Sequence, residues 1–302
     1  MLIKKFLVLF FALGVMISSG AECSIKPYSG GPKEDSLKDR LTIITTTHPI
    51  PSNPTIEMIK RTQRSLFRVP GFRGCKKIIV FDGIRDNLGY LERRLDPAEL
   101  GGRDLHYFAS EKYEQFKANM LELTENNSYF ENTTLIFCDE HLNLAGAIGQ
   151  ALSYVDTPFV FIHQHDIELV KDVDALNVVR TMENNSNVKC VRLNQLWNEQ
   201  NIWDSLLDTH IEGQCFVPLL RTNLWSDQEH FCSVEYYTDF ILPKMPERNC
   251  MEWVLMEEEK REVEKDISNH KIYGTYVYGK LGERPYLNNL DGSRCYGDNW
   301  EY

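Results

Sequence analysis

Short apolar runs and longer amphipathic stretches take turns along the first 180 residues of this chain. Leu41–Thr47 is a β-branched run, and it ends at His48-Pro-Ile-Pro-Ser-Asn-Pro54, a loop that cannot be helical. Residues 55–67 carry apolar positions at 56, 59, 66 and 67 among charges, which predicts a helix. Lys76–Phe81 predicts a second strand, closed by Asp82-Gly83. A helix is expected over 111–123, a third strand over 134–138, and an Ala- and Leu-rich helix over 142–154. A fourth strand, 158–162, stops at His163-Gln-His-Asp166.

Strands with near-continuous apolar character, alternating with helices, predict an α/β fold with a mostly parallel sheet covered on both faces. Ligands in such sheets sit at the carboxyl ends of the strands. The polar groups at those ends are Thr45 to His48, Asp82, and His163 to Asp166. No GxGxxG, GxxxxGK[ST] or GxSxG motif occurs, so dinucleotide, P-loop and serine-hydrolase readings lack their signatures. The second half changes character. A strand is expected over 188–192, aromatics become frequent (Trp197, Trp203, Trp225, Trp253), Met251–Lys265 predicts a charged helix, and 272–278 alternates as a strand.

The amino terminus places Lys4 and Lys5 before a short apolar run, followed by small residues up to Ala21. This is the three-part pattern of a secretory signal, with an uncleaved signal anchor as the alternative. The expected organisation is a leader at 1–21, a polar linker at 22–40, and one domain over 41–302, with halves 41–180 and 181–302. A net charge of -11 argues against nucleic acid or an anionic membrane surface as the main partner. Eight cysteines without a CxxC pair predict some disulfides in an oxidising compartment, although spacing leaves their pairing open. Three glycosylation sequons, at Asn126, Asn132 and Asn184, agree with that route.

Taken in order, these segments resemble a nucleotide-sugar-dependent glycosyltransferase of the GT-A fold, nearest the inverting family-two type. The resemblance runs from about Leu41 to Glu258. It rests on the Thr45-Thr-Thr-His-Pro49 loop, the strand ending in Asp82, the small-residue helix around 144–152 leading to an apolar strand, and Glu252 in a Glu-Trp-x-x-Leu-like segment. Two positions depart from the family pattern. His-x-His-Asp stands where Asp-x-Asp is usual, and Ile148 and Gln150 stand where the helix often carries Arg.

The resemblance implies a mixed, Rossmann-like sheet and transfer of a sugar to an acceptor hydroxyl with inversion, in the Golgi or endoplasmic reticulum lumen or outside the cell. The acceptor would be a glycan, protein or lipid. Thr45, Thr46, His48, Pro49, Asp82, His163 and Gln164 would bind the nucleotide sugar. His165 and Asp166 would hold a divalent ion, manganese or magnesium, with Glu168 nearby, and Glu252 would be the catalytic base, with Glu247 as the fallback. His270 and Asn289 lie where a further metal contact is sometimes placed, and Trp203 and Trp225 could stack on a sugar. Each has a plainer alternative: an Asp-Gly turn, a buried aromatic, a solvated acidic helix. From a different class, the same segments also fit a GT-A-like domain that binds nucleotide or glycan without transfer.

Overall fold

A computed structural model of the 302-residue chain describes residues 36–95, 97–200, 205–245 and 250–291. The expected leader, most of the linker, Trp203, Glu247, Cys23 and Cys295 lie outside the described residues. Among the described residues, no helix is long and apolar enough to cross a membrane.

The chain opens with β1 (Leu41–Thr47), α1 (Glu57–Leu66), β2 (Lys76–Phe81), α2 (Leu105–Asn126), β3 (Thr133–Phe137), α3 (Asn143–Leu152) and β4 (Phe159–Gln164). There follow β5 (Ile167–Leu169), α4 (Ala175–Asn184), β6 (Cys190–Arg192), β7 (Leu206–Asp208), β8 (Leu219–Thr222) and β9 (His230–Ser233). The last elements are α5 (Met251–Lys265), β10 (Thr275–Tyr278) and β11 (Leu287–Asn289). Nine strands form one sheet in the order β3-β2-β1-β4-β9-β6-β10-β8-β7, and β11 pairs with β5 beside it. The block β3-β2-β1-β4 is parallel; β9 then runs antiparallel to both β4 and β6, and β10 returns parallel to β6. This is the mixed, mostly parallel α/β sheet that the alternating pattern predicts.

Alternate residues of the central strands feed two apolar layers. Leu41, Ile43, Phe161, Val191 and Phe231 pack with Leu66 of α1 and Val178, Val179 and Met182 of α4. Ile44, Val160, Ile162, Cys190 and Cys232 face the other way, onto Ala147, Ile148 and Ala151 of α3 and Met251 and Leu255 of α5. Burial on both faces explains why these strands read as unbroken apolar runs. Each fully buried Leu, Ile or Phe contributes roughly 1.5–3 kcal/mol of transfer free energy.

Two expectations need correcting. The linker ends before residue 40, because Leu37 is buried and packs 3.2 Å from the position a Cβ would take on Gly71. The strand expected over 272–278 is split. A helical turn occupies His270–Tyr273, Gly274 reverses the backbone at φ 59°, and the strand starts at Thr275. A side chain at Gly274 would also meet the Asn187 carbonyl oxygen at 2.5 Å, so glycine is needed there twice over. The described cysteines (Cys75, Cys138, Cys190, Cys215, Cys232, Cys250) are present as free thiols, and the disulfide expectation stays an expectation.

Candidate functional site

Strand register places the polar ends of β1, β2 and β4 on one rim: Thr47 lies beside Phe81, and Thr46 beside Gln164. Because β9 is antiparallel and His230 pairs with Ile162, the loop leading into β9 reaches the same rim. That loop carries Ser226, Asp227, Gln228 and Glu229, and Ser226 Oγ lies 2.6 Å from Glu252 Oε1 in the first turn of α5. Segments far apart in sequence therefore meet at one edge.

The expected residues divide by what their polar atoms already do. Thr45 and His163 are buried inside the sheet. Gln63 Nε2 donates to Thr45 Oγ1 at 2.9 Å, Thr45 Oγ1 lies 3.2 Å from His163 Nδ1, and His163 Nε2 lies 2.9 Å from the Ile167 carbonyl oxygen. A carbonyl can only accept, so Nε2 carries the proton and Nδ1 accepts from Thr45. Burial lowers the His163 pKa to about 4 and keeps the ring neutral. Thr45 Oγ1 and both ring nitrogens of His163 thus have internal partners, which makes them a clamp between strands. Thr46 is also buried, its hydroxyl directed at the His163 carbonyl at 3.5 Å, while Pro49 is buried beside a hollow of about 10 Å³, too small for a ligand.

His165 differs. Its Nδ1 lies 3.3 Å from the Thr46 carbonyl oxygen, which fixes the proton on that nitrogen in the neutral ring. Its Nε2 is buried and has no hydrogen-bond partner, although the residue is 2% exposed. The His48 ring stands edge-on to it at 5.0 Å, on the exposed rim. Arg85 and Arg94 lie near enough for their charges to bear on His48. Asp166 is half-buried, and Asn289 Nδ2 donates to its Oδ2 at 3.4 Å.

Asp82 acts as a bracket. One carboxylate oxygen accepts from the amides of Leu142 (2.6 Å) and Gly83 (2.9 Å), and the other lies 2.7 Å from His141 Nδ1. With 5% exposure, Asp82 presents His141 to the rim rather than its own oxygens. Gly83 allows the close approach, since a Cβ there would lie 2.2 Å from the backbone of Glu140. Beyond His141 opens a cleft of about 780 Å³ between the ends of β2 and β3 and the start of α2, lined by Arg85, Asp86, His106, Ser110, Lys117 and Asn143 among others.

The loop before β9 was not legible as a site in the sequence. Gln164 donates its amide to Glu229 Oε1 at 3.0 Å and its Nε2 to the Asp227 carbonyl at 3.1 Å, which ties β4 to that loop. Gln164 is thus spent on positioning. Burial, then the charge of Glu252 and that of Asp166, push the Asp227 carboxyl up to about 7. Burial raises Glu229 well above the carboxylate range, and its Oε2 has no partner. The available signal was Ser-Asp-Gln-Glu immediately before an apolar strand.

Other expected residues fall elsewhere. Partial burial works against ionisation of Glu168, but its contact with Arg61 at 2.6 Å holds the carboxyl below its usual range and makes it an ion-pair partner. Trp225 is fully buried in the core and cannot stack on a ligand, whereas Trp253, next to Glu252, is 61% exposed. His270 is buried with Nε2 2.9 Å from the Thr275 carbonyl. Among the described residues, no three His, Cys, Asp or Glu side chains gather as a metal-binding group.

No protein-family model and no curated protein matches the chain. Among solved structures, it is similar to S. aureus TarS (TM-score 0.45, 11% identity, 82% of this chain and 36% of that one). It is also similar to GalNAc-T7 with UDP, GalNAc and Mn2+ (TM-score 0.47, 8% identity, 79% of this chain and 41% of that one). A nucleotidyl transferase from Methanothermobacter thermautotroptrophicus matches at TM-score 0.40 and 11% identity over 82% of this chain and 89% of that one. The chain thus spans well under half the length of the first two.

Proposed function

We propose that this chain is a glycosyltransferase that moves a sugar from a nucleotide-sugar donor to an acceptor hydroxyl in the lumen of the secretory pathway. The observation that carries the reading is the meeting of Asp166, just past β4, with the Asp227 and Glu252 carboxylates on one rim of the sheet. The cleft beyond His141 has room for a nucleobase and ribose. Arg85 and Arg94, near His48, suit a diphosphate, and the sugar would then lie toward Asp166 and Glu252.

In this reading Glu252 takes the proton of the acceptor hydroxyl as that oxygen attacks the anomeric carbon, and the nucleoside diphosphate leaves from the opposite face with inversion. Ser226 donates to Glu252 Oε1 and leaves Oε2 for the acceptor.

A divalent ion, manganese or magnesium, fits as a partner of two side chains. His165 Nε2 has an unshared lone pair because Nδ1 is held by the Thr46 carbonyl, an orientation typical of metal-ligating histidines, and the Asp166 carboxylate stands next in sequence. His163 is excluded because both of its nitrogens are engaged. When bound, such an ion would offset the negative charge of the departing diphosphate.

The reading is tested by a thermal-shift panel of UDP- and GDP-sugars with and without manganese, followed by turnover of the donor that binds. Failure of every nucleotide and nucleotide sugar to stabilise the folded protein would sink it. The second reading, a binder without transfer, is favoured by the lack of a three-donor metal group among the described residues. Binding without release of nucleoside diphosphate from any donor would establish it.

A further inference from the structure

Cys190 and Cys232 sit directly opposite each other on β6 and β9, two central strands of the sheet. The phase of the ladder is fixed by bonds on either side. Leu193 donates to the Glu229 carbonyl at 2.8 Å, which makes 193 and 229 a hydrogen-bonded pair, and the pattern alternates from there. Cys190 and Cys232, three positions along, are therefore a non-hydrogen-bonded pair. The outer neighbours agree. The Cys190 amide donates away from β9, to the Gly274 carbonyl at 3.0 Å. On the far side, Val234 donates to the Pro158 carbonyl at 2.9 Å, so Cys232, two residues along, turns its backbone groups to Val160 of β4.

At non-hydrogen-bonded positions the Cα atoms are about 4.5 Å apart and the side chains approach most closely. That lies within the Cα spacing a disulfide accepts, roughly 4.4–6.8 Å. Both side chains point to the same layer, under Trp225, Tyr236 and Tyr237, both are 0% exposed, and the two thiols are in hydrogen-bonding contact.

We propose that Cys190 and Cys232 are a cross-link site, oxidised to an intramolecular disulfide that fastens β9 to β6 beneath the rim. The oxidant is a small-molecule disulfide such as oxidised glutathione. One glutathione S–S bond breaks and the Cys190–Cys232 S–S bond forms, while the two protons and two electrons of the protein thiols leave as two molecules of reduced glutathione. Burial holds the Cys232 thiol well above its usual range, so almost no thiolate forms once the sheet is covered. The link therefore forms while the chain is folding, before the layer carrying Tyr236, Tyr237 and α5 closes over the pair.

The test refolds the full chain from the reduced, denatured state, with oxidised glutathione in one arm and excess reductant in the other. Free thiols are then alkylated in denaturant and peptides are mapped without reduction. The expected result is a peptide joining residues 190 and 232 in the oxidised arm, none in the reduced arm, and a melting temperature several degrees higher for the linked form. A third arm treats the already folded, reduced protein with the same oxidant and should leave both thiols unlinked over the refolding time. Full alkylation of both cysteines in the oxidised arm, or a dominant link from either to a different cysteine, would overturn the proposal. Equally fast linking of the folded protein would overturn its timing. A Cys190→Ser variant should lack the linked peptide, and the wild-type arms decide the question if that variant does not fold.

Discussion

Ser226 Oγ and Glu252 Oε1 are 2.6 Å apart, joining the loop before β9 to the first turn of α5. This short contact fixes one oxygen of the carboxylate that faces the rim. Glu252→Gln should lower turnover by about 10²–10⁴-fold with nucleotide affinity nearly unchanged, since the amide cannot accept the proton. Ser226→Ala should cost roughly tenfold, the loss of one hydrogen bond to a charged group. Turnover and equilibrium binding measured on the same preparations separate these effects. Full activity in Glu252→Gln would remove it from the mechanism.

Thr45 and His165 should behave differently on substitution, although both were expected to serve the ligand. Thr45→Val leaves His163 Nδ1 and Gln63 Nε2 without their shared partner. It should lower stability by about 1–3 kcal/mol in urea unfolding, with any nucleotide response retained. His165→Ala removes a buried ring and its Nδ1 contact with the Thr46 carbonyl, so it too should lower stability, by about 1–3 kcal/mol, but here manganese-dependent stabilisation by a nucleotide, measured against the unliganded variant, disappears. Retention of that manganese response in His165→Ala would dismiss His165 as a ligand.

Gly83→Ala places a methyl 2.2 Å from the Glu140 backbone. The loop must move, and with it the Leu142 amide that Asp82 holds. Overpacking of this kind costs about 1–3 kcal/mol. The expected outcome is a lower urea midpoint together with weaker nucleotide binding, because His141 loses its bracket.

Glu259 gives a pH dependence that owes nothing to the proposed reaction. Its carboxyl is fully buried, and burial pushes it up to about 8 from 4.5 despite the Arg192 charge nearby. Below pH 4.5 the folded and unfolded chains both hold the proton. As pH rises from 4.5 toward 8, the unfolded chain releases it while the folded chain keeps it, so stability falls over that window. Glu259→Gln should lack this fall and exceed the wild type by up to about 3 kcal/mol at pH 7. Urea midpoints at pH 5 and pH 7 check it; an unchanged difference between the two proteins would refute the buried-proton account.

The parallel half of the fold was legible because its strands are buried on both faces and its turns carry Pro or Gly. Leu41–Thr47 and Lys76–Phe81 match the expected strands to the residue. The short strands β7, β9 and β11 were not legible, since three or four residues carry no period and their pairing depends on distant partners. The rim residues were found by position, but their roles were not. Sequence order makes Thr45, His163 and His165 look alike, and only the pairing of Thr45 with His163 and the free Nε2 of His165 separate an internal clamp from an open donor. Asp227 went unread because its surroundings are supplied by Glu252 and Asp166, which are far from it in the sequence.

The insertion of β9 between β4 and β6 has a consequence for dissecting the chain. A fragment ending near residue 180 would keep every helix and strand of the parallel block, yet the inner edge of β4 would be bare, with unpaired amides and carbonyls ready to template aggregation. A chimera that exchanges residues 181–302 for another segment must carry a substitute for this one borrowed strand.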